Sequence, residues 1–138
     1  MIRLTLPIPP SVNALHRAIG RGRNILSREG REFYKAAELL LKEQGPFTQL
    51  EGDVRAIYHF YFPDKRRRDV FNYEKALSDV ITKAGVWGDD CQIVSGHVCK
   101  RYDKIAPRVE CFLDVMEIAE HDETTAIVKR GRALVKKK

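Results

Sequence analysis

Two acidic segments, with a lysine between them, could together hydrolyse a phosphodiester bond. Asp69 directly follows a basic run at 65–68, Lys75 comes shortly after it, and Asp89 and Asp90 lie further on in a Gly-Asp-Asp turn. Such hydrolysis uses carboxylates to hold a divalent cation that activates water, while a lysine stabilises charge on the phosphoryl oxygens. The pattern therefore predicts a metal-dependent phosphodiesterase site, provided that the fold brings the two segments together.

Each part of this pattern also has an ordinary explanation. An Asp-Asp pair beside glycine is common in turns, and consecutive basic residues also occur in solvated loops. The combination of a basic run, a carboxylate, a helix lysine and a second carboxylate pair is less frequent by chance than any one part. We therefore interpret the parts as one site.

A helix over 70–84 is predicted to position the lysine. Asp69 is a favourable N-cap, and Gly85 is an expected C-terminal glycine. On a helical wheel, the apolar residues that face the core are Val70, Tyr73, Ala76, Leu77, Val80, Ile81 and Ala84. The opposite, polar side consists of Asn72, Lys75, Asp79, Thr82 and Lys83, with Glu74 and Ser78 nearer its edges.

Phe71 breaks this pattern, because it falls in the middle of the polar side between Lys75 and Ser78. An aromatic ring at such a position indicates an interface, a ligand contact or a substituted site residue. Isolated exposed apolar residues are also common on protein surfaces. The sequence leaves these alternatives open.

The remaining elements predict an α+β domain with a small mixed or antiparallel sheet packed by two helices. In chain order they are a strand at 1–6, a helix capped by Ser27 at about 28–44, a strand at 53–62, the helix after Asp69, and strands at 92–102 and 107–118. The order is β-α-β-α-β-β. Residues 8–24 are predicted to form a long loop, which in a compact domain is more often functional than idle.

Composition places the chain among single-domain globular proteins. Its 138 residues include 32% charged and 43% hydrophobic residues, and no apolar run reaches the length of a membrane span. The start, MIRLTLPIPP, lacks the features of a secretory signal, so we expect a cytoplasmic protein. We predict a domain at 1–118 and a basic tail at 119–138. The three cysteines lack a CxxC pair and are predicted to be buried, reduced thiols, namely Cys91, Cys99 and Cys111.

Local clusters of basic residues indicate phosphate contacts more strongly than the net charge of +6 does. Arg21 and Arg23 lie in the predicted loop that also contains His16, and the run 65–68 lies in another. Such clusters attract nucleic acid. Trp87 is predicted to have a structural role, packing the turn that positions Asp89 and Asp90.

Two segments together resemble the RusA-type Holliday junction resolvases. The first is RRRDVFNYEKA at 66–76, and the second is DVITKAGVWGDDCQIV at 79–94. The stretch LPIPPSVN at 6–13 is similar to that family's N-terminal Pro-Pro-Ser-x-Asn signature. The resemblance covers roughly 3–117, and the combination of motifs is more specific than either alone.

The resemblance implies a homodimer that binds four-way DNA junctions and cuts two opposed strands symmetrically, using Mg²⁺ or Mn²⁺. Asp69 and Asp90 match catalytic aspartates of the family, and Lys75 matches its essential lysine. Asp89 is the neighbouring carboxylate and a candidate ligand beside Asp69 and Asp90. The predicted DNA contacts are Asn13, Arg21, Arg23, Lys65, Arg66, Arg67 and Arg68.

Phe71 is the departure from the family, because many members have a second aspartate at this position. Phenylalanine cannot coordinate a hard cation, so the site loses one oxygen donor. Asn72, Glu74 or Asp89 are the candidates to supply it, with Asp89 the best placed and Glu74 at the edge of the same face. Phe71 could instead stack on an unpaired base at the junction centre, as aromatic side chains do on single strands.

Three functional hypotheses remain at this point. The first is an active, metal-dependent junction endonuclease. The second is a junction-binding protein whose cleavage is impaired by Phe71. The third is a general basic module that binds RNA or duplex DNA, which predicts similar affinity for linear and branched DNA because phosphate contacts do not read shape by themselves.

Overall fold

A four-stranded mixed sheet forms the centre of the molecule in the computed structural model, which describes residues 1–117. The strands are β1 (Ile2–Leu6), β4 (Val54–Phe62), β5 (Ile93–Tyr102) and β6 (Arg108–Val115), and their order across the sheet is β1-β6-β4-β5. β6 pairs antiparallel with both β1 and β4, whereas β4 and β5 are parallel. The predicted α+β class with a mixed sheet is confirmed. The predicted tail lies outside the described residues.

The alternation of side chains along β4 determines which face of the sheet is buried. Every second residue of this strand, from Val54 to Phe62, is buried. Two helices pack on that face. They are α2 (Arg28–Gln44) and α3 (Glu74–Lys83), whose apolar residues join the same core as those of the strands. Ser27 caps α2 as predicted, since its Oγ accepts a hydrogen bond from the Gly30 amide at 3.0 Å.

The predicted helix over 70–84 is wrong in its first turn. Val70–Tyr73 form a 3₁₀ turn, and the α-helix begins only at Glu74. Asp69 caps the 3₁₀ turn, because its Oδ1 accepts a hydrogen bond from the Phe71 amide at 3.1 Å. The Tyr73 ring packs edge-on against Phe62, 5.2 Å away between ring centroids, and this core contact holds the tighter turn. Gly85 ends α3 with φ +75°, as expected.

The predicted long loop at 8–24 instead contains three short elements. These are α1 (Val12–Leu15) and an antiparallel hairpin of β2 (His16–Ala18) and β3 (Asn24–Leu26). The hairpin closes because Gly20, Arg21 and Gly22 all adopt positive φ, which lets the chain reverse tightly. The predicted element order is therefore correct for the main sheet and helices but misses this hairpin.

The three cysteines are free thiols, as predicted, but their burial differs. Cys111 is buried in β6 and Cys99 is half-buried, whereas Cys91 is exposed. The prediction of a buried Cys91 is wrong because this residue belongs to the surface turn that follows Asp89. Within residues 1–117, no helix is both long and apolar enough to cross a bilayer.

Candidate active site

An open cleft of about 480 Å³ lies where the start of α3 faces the parallel strands β4 and β5. α3 is the crossover connection between these two strands, and such a connection must pack back onto the sheet that it joins. The lining combines polar groups from α3 with apolar groups from the strands. Its residues are Ala56, Tyr58, Phe71, Glu74, Lys75, Ser78, Asp90, Ile93, Gly96, His97 and Val98.

Lys75 lies close to Asp90, in the second of the two acidic segments, and to Asp79 of its own helix. Its Nζ lies 3.9 Å from Oδ2 of Asp90 and 3.4 Å from Oδ1 of Asp79. The lysine side chain is 58% exposed, so these are solvated contacts that hold its ammonium group loosely. The structure thus brings Lys75 and Asp90 together in one cleft. The sharing of one ion by Asp69 and Asp90 stays a prediction.

The turn that presents Asp90 is held by Gln92, a residue that the sequence analysis did not single out. Oε1 of Gln92 accepts hydrogen bonds from the amides of Gly88 (2.8 Å) and Asp89 (3.0 Å). Nε2 of Gln92 donates to the carbonyls of Leu50 and Gly52. This role could be predicted from the sequence, because a Gln three residues after an Asp N-cap is a capping-box pattern.

Asp89 is committed to the same turn. Its Oδ1 accepts a hydrogen bond from the Cys91 amide at 2.9 Å. This amide holds the pKa of the exposed Asp89 carboxyl below its ordinary value. Asp89 therefore stays ionised beside Asp90 and orients the turn. The predicted role of Trp87 fits this picture, since its ring is fully buried and its Nε1 donates to Thr82 Oγ1 at 2.6 Å.

Asp69 lies at the start of the 3₁₀ turn, where it is exposed, and it is not among the residues that line the cleft. The chain at this point is fixed to β5, because Lys100 Nζ donates to the Arg68 carbonyl at 2.5 Å. Within residues 1–117, no group of three or more His, Cys, Asp or Glu side chains is clustered closely enough to hold a metal ion by itself. Asp69, Asp89 and Asp90 therefore do not form a ready-made three-carboxylate cluster.

The three uncertain positions of the site have different surroundings. Phe71 is 75% exposed and lines the cleft. Asn72 is half-buried, donates its amide to the Asp69 carbonyl at 3.0 Å and is not a lining residue. Glu74 lines the cleft, and its Oε1 accepts a hydrogen bond from Ser78 Oγ.

Ser78 was placed near the polar edge of the helix by the wheel, but it is buried, with only 3% of its surface exposed. The wheel failed here because β4 covers this edge of α3. Tyr58, on β4, is equally buried, and its hydroxyl lies 3.2 Å from Ser78 Oγ. Burial raises the pKa of Tyr58 well above its ordinary value, so the phenol stays neutral and can donate a hydrogen bond.

Comparison with known proteins gives a match to the family described as Endodeoxyribonuclease RusA over residues 7–114. The matched range runs from the N-terminal loop through the cleft to β6. The chain belongs to the RusA family. The resemblance inferred from the sequence is confirmed, and with it the enzyme class, an endodeoxyribonuclease.

Relatives of this RusA chain include proteins of Shigella sonnei, Escherichia coli (strain K12) and Enterobacteria phage 82, each described as the crossover junction endodeoxyribonuclease RusA. Each is 39% identical over 97 residues, which cover 70% of this chain and 80% of the relative.

The basic run of this RusA chain divides into exposed and anchored residues. Lys65, Arg66 and Arg67 are exposed. Arg68 is only 14% exposed in its side chain, forms an ion pair with Asp64 at 2.7 Å, and stacks over the Phe62 ring. Arg68 therefore anchors the loop, whereas the other three residues are exposed to solvent.

Two other predicted DNA contacts lie on the hairpin. Arg21 and Arg23 are exposed at its tip, and His16 is exposed on β2. Asn13, also exposed, lies in α1, which contacts both α3 and the 3₁₀ turn. The end of the N-terminal signature, Val12 and Asn13, thus lies on an element that packs against the segment leading into the cleft.

Proposed function

We propose that this RusA-family chain is a divalent-metal-dependent endonuclease that binds four-way DNA junctions and, as a homodimer, cuts two opposed strands. The observation that carries the proposal is the contact between Lys75 and Asp90 inside one cleft. It joins the two sequence segments that the family match spans. The names of the relatives, crossover junction endodeoxyribonucleases, support the same substrate.

The carboxylates of the cleft fit a hard cation such as Mg²⁺ or Mn²⁺. Magnesium is commonly held by one or two carboxylates, with water and substrate phosphate completing its shell, so a preformed three-carboxylate cluster is not required. Asp90 and Glu74 line the cleft, and Asp69 and Asp89 are further proposed ligands. The bound ion would supply an activated water and neutralise charge developing on the phosphate.

The proposed role of Lys75 is to bind a phosphoryl oxygen of the strand to be cut. Its ammonium group is held between Asp79 and Asp90 by contacts of 3.4 and 3.9 Å. Because these contacts are solvated, a phosphodiester monoanion that enters the cleft can replace the carboxylates as the partner of the ammonium group at little cost. Asp79 is in turn held by the Tyr34 hydroxyl at 3.3 Å.

The proposed DNA path leads to the cleft over exposed basic residues. Lys65, Arg66 and Arg67 precede Asp69, while Arg21 and Arg23 extend from the hairpin. A homodimer would place two such paths and two clefts about a two-fold axis, matching the pseudo-two-fold symmetry of a four-way junction.

A second candidate function is a junction-binding protein with impaired cleavage. It is favoured by Phe71, whose exposed ring in the cleft provides no oxygen for a metal ion. The same ring could stack on an unpaired base.

A nicking assay separates the candidates. The full chain is incubated with an end-labelled four-way junction and with a linear duplex of the same sequence, in Mg²⁺ and in Mn²⁺. Paired, symmetric nicks in the junction support the proposal, and Asp90→Asn should abolish them while sparing binding. Junction binding without any product at enzyme excess supports the second candidate. Equal affinity for both DNAs at matched salt would support only the general basic module.

A further inference from the structure

Two buried hydroxyl groups lie at the floor of the cleft. Apolar side chains at these positions would need no hydrogen-bond partner. Tyr58 is 2% exposed and Ser78 is 3% exposed, and both belong to elements whose other buried residues are apolar. Burying a hydroxyl costs free energy unless it is hydrogen-bonded. Here each hydroxyl has a partner, and the chain of partners ends at a carboxylate that lines the cleft.

The direction of the hydrogen bonds in this chain follows from the number of protons available. Ser78 Oγ donates its single proton to Glu74 Oε1. The oxygen of Ser78 must then accept in its other contact, so Tyr58, at 3.2 Å, is the donor. A neutral phenol is required for this, which agrees with the raised pKa of Tyr58. This series of hydrogen bonds, from Tyr58 to Ser78 to Glu74, therefore orients one carboxylate from inside the core.

Glu74 is also the best placed of the three residues that could supply an oxygen in place of Phe71. Asn72 is not a lining residue of the cleft. Asp89 is likewise absent from the lining, and its Oδ1 is used by the Cys91 amide. Glu74 shares the cleft with Lys75, Asp90 and the exposed Phe71 ring, and its second carboxylate oxygen remains available for a cation.

We propose that Glu74 is a metal-binding carboxylate of this site, supplying the oxygen that Phe71 cannot, and that Tyr58 and Ser78 are positioning residues that hold it. This inference rests on the proposed function, because it concerns the same cleft and the same cation. It adds Glu74 to the aspartates and the lysine of the sequence motif. It also assigns a positioning role to two hydroxyl groups of the core.

Metal binding tests the role of Glu74 directly, without DNA or catalysis. Binding of Mn²⁺ alone to the full chain is measured by electron paramagnetic resonance of the free ion and by calorimetry. Glu74→Gln keeps the shape and the hydrogen-bonding capacity but removes the charge, and we expect it to weaken Mn²⁺ binding by at least about tenfold. Glu43→Gln, the same change at an exposed position of α2, should leave binding unchanged. An affinity of Glu74→Gln within twofold or so of the parent would overturn the inference.

The positioning residues need variants that separate orientation from folding. Tyr58→Phe retains the ring and loses only the hydroxyl, and Ser78→Ala loses the donor. Since partners of metal ligands typically influence affinity by about 10–100-fold, we expect both variants to bind Mn²⁺ more weakly, and Ser78→Thr, which keeps a hydroxyl, to recover most of the loss. Melting curves establish that each variant is folded. If Tyr58→Phe and Ser78→Ala are folded and bind Mn²⁺ like the parent, the positioning role is refuted.

Failure of this inference can be told apart from failure of the proposed function. Unchanged Mn²⁺ affinity in Glu74→Gln, with junction nicking by the unmodified chain, would remove Glu74 from the site and leave the endonuclease proposal standing. Weakened Mn²⁺ binding in that variant, with no nicking by the unmodified chain, would support Glu74 as a ligand and favour a junction-binding protein.

Discussion

The ammonium group of Lys75 lies 3.9 Å from Oδ2 of Asp90, although Lys75 lies in the first turn of α3 and Asp90 in the turn that leads into β5. This contact is made across the cleft and not along a helix, so it depends on the crossover packing back onto the sheet. It places the ammonium group and a carboxylate where the proposed phosphate and metal ion would bind.

Replacing Lys75 by Met should abolish most cleavage while leaving junction affinity nearly unchanged. Methionine keeps the length of the side chain but cannot stabilise charge on a phosphoryl oxygen, and loss of one such donor typically costs about 10²–10³ in rate. Single-turnover nicking assays measure this. Lys35→Met, at an exposed position of α2, is the matched control. Equal loss in both variants would show that general charge, and not the cleft position, is responsible.

Replacing Gln92 by Ala should reduce both stability and cleavage. The variant loses two acceptor contacts to the amides of Gly88 and Asp89 and two donor contacts to the carbonyls of Leu50 and Gly52. Since some of these groups will find water, we expect the free energy of unfolding to fall by about 1–3 kcal/mol. Urea denaturation measures it. Gln92→Glu retains the acceptor but not the donor, and an unchanged stability in both variants would contradict the clamping role.

Replacing Phe71 by Asp should raise Mn²⁺ affinity and nicking activity. The new carboxylate adds an oxygen donor and a negative charge to the cleft. In the Glu74→Gln background, the same substitution should restore the Mn²⁺ binding that was lost, because both carboxylates would serve one ion. Calorimetry of the two single variants and the double variant forms a complete cycle. Lower affinity in Phe71→Asp would mean that the cleft no longer accepts a ligand at this position.

Replacing Arg66 and Arg67 by Ala should weaken junction binding and flatten its dependence on salt. Each arginine that contacts a phosphate contributes about one unit to the slope of log affinity against log salt. Titrations at several salt concentrations measure the slope. Arg68→Ala provides the contrast, because this side chain is largely buried against Asp64 and Phe62, whereas Arg66 also pairs with Asp64 but is 82% exposed. Arg68→Ala should lower the melting temperature. A change in slope as large as that of the double variant would contradict the assignment of Arg66 and Arg67 as the phosphate contacts.

Acidification should release the loop that Asp64 organises. The Arg66 amide, followed by the Arg68 guanidinium, holds the pKa of this exposed carboxyl below its ordinary value. A carboxyl with a lowered folded pKa contributes stability above its unfolded pKa and loses it as the pH falls through the folded value. The melting temperature of the parent should therefore decrease as the pH drops below about 4. The decrease should be smaller for Asp64→Asn. Glu51→Gln serves as control, and identical profiles for all three proteins would rule out this linkage.

Local patterns in the sequence were sufficient to predict the main elements. The alternation along β4, the Ser27 cap of α2 and the glycine that ends α3 all express short-range physics, and the structure confirms each of them. The sequence was also sufficient to recognise the family motifs, the endonuclease class and the unusual position of Phe71. These features depend on residue type and spacing alone.

Only the tertiary structure determined which polar groups meet. The wheel predicted one continuous helix and placed Ser78 near its polar edge. The first turn is instead 3₁₀, and β4 buries Ser78 beside Tyr58. The contacts of Lys75 with Asp90 and of Gln92 with Leu50 likewise join separate segments. Periodicity defines the faces of an isolated element, but the neighbour that packs against an edge decides whether a hydroxyl there meets water, the core or a carboxylate.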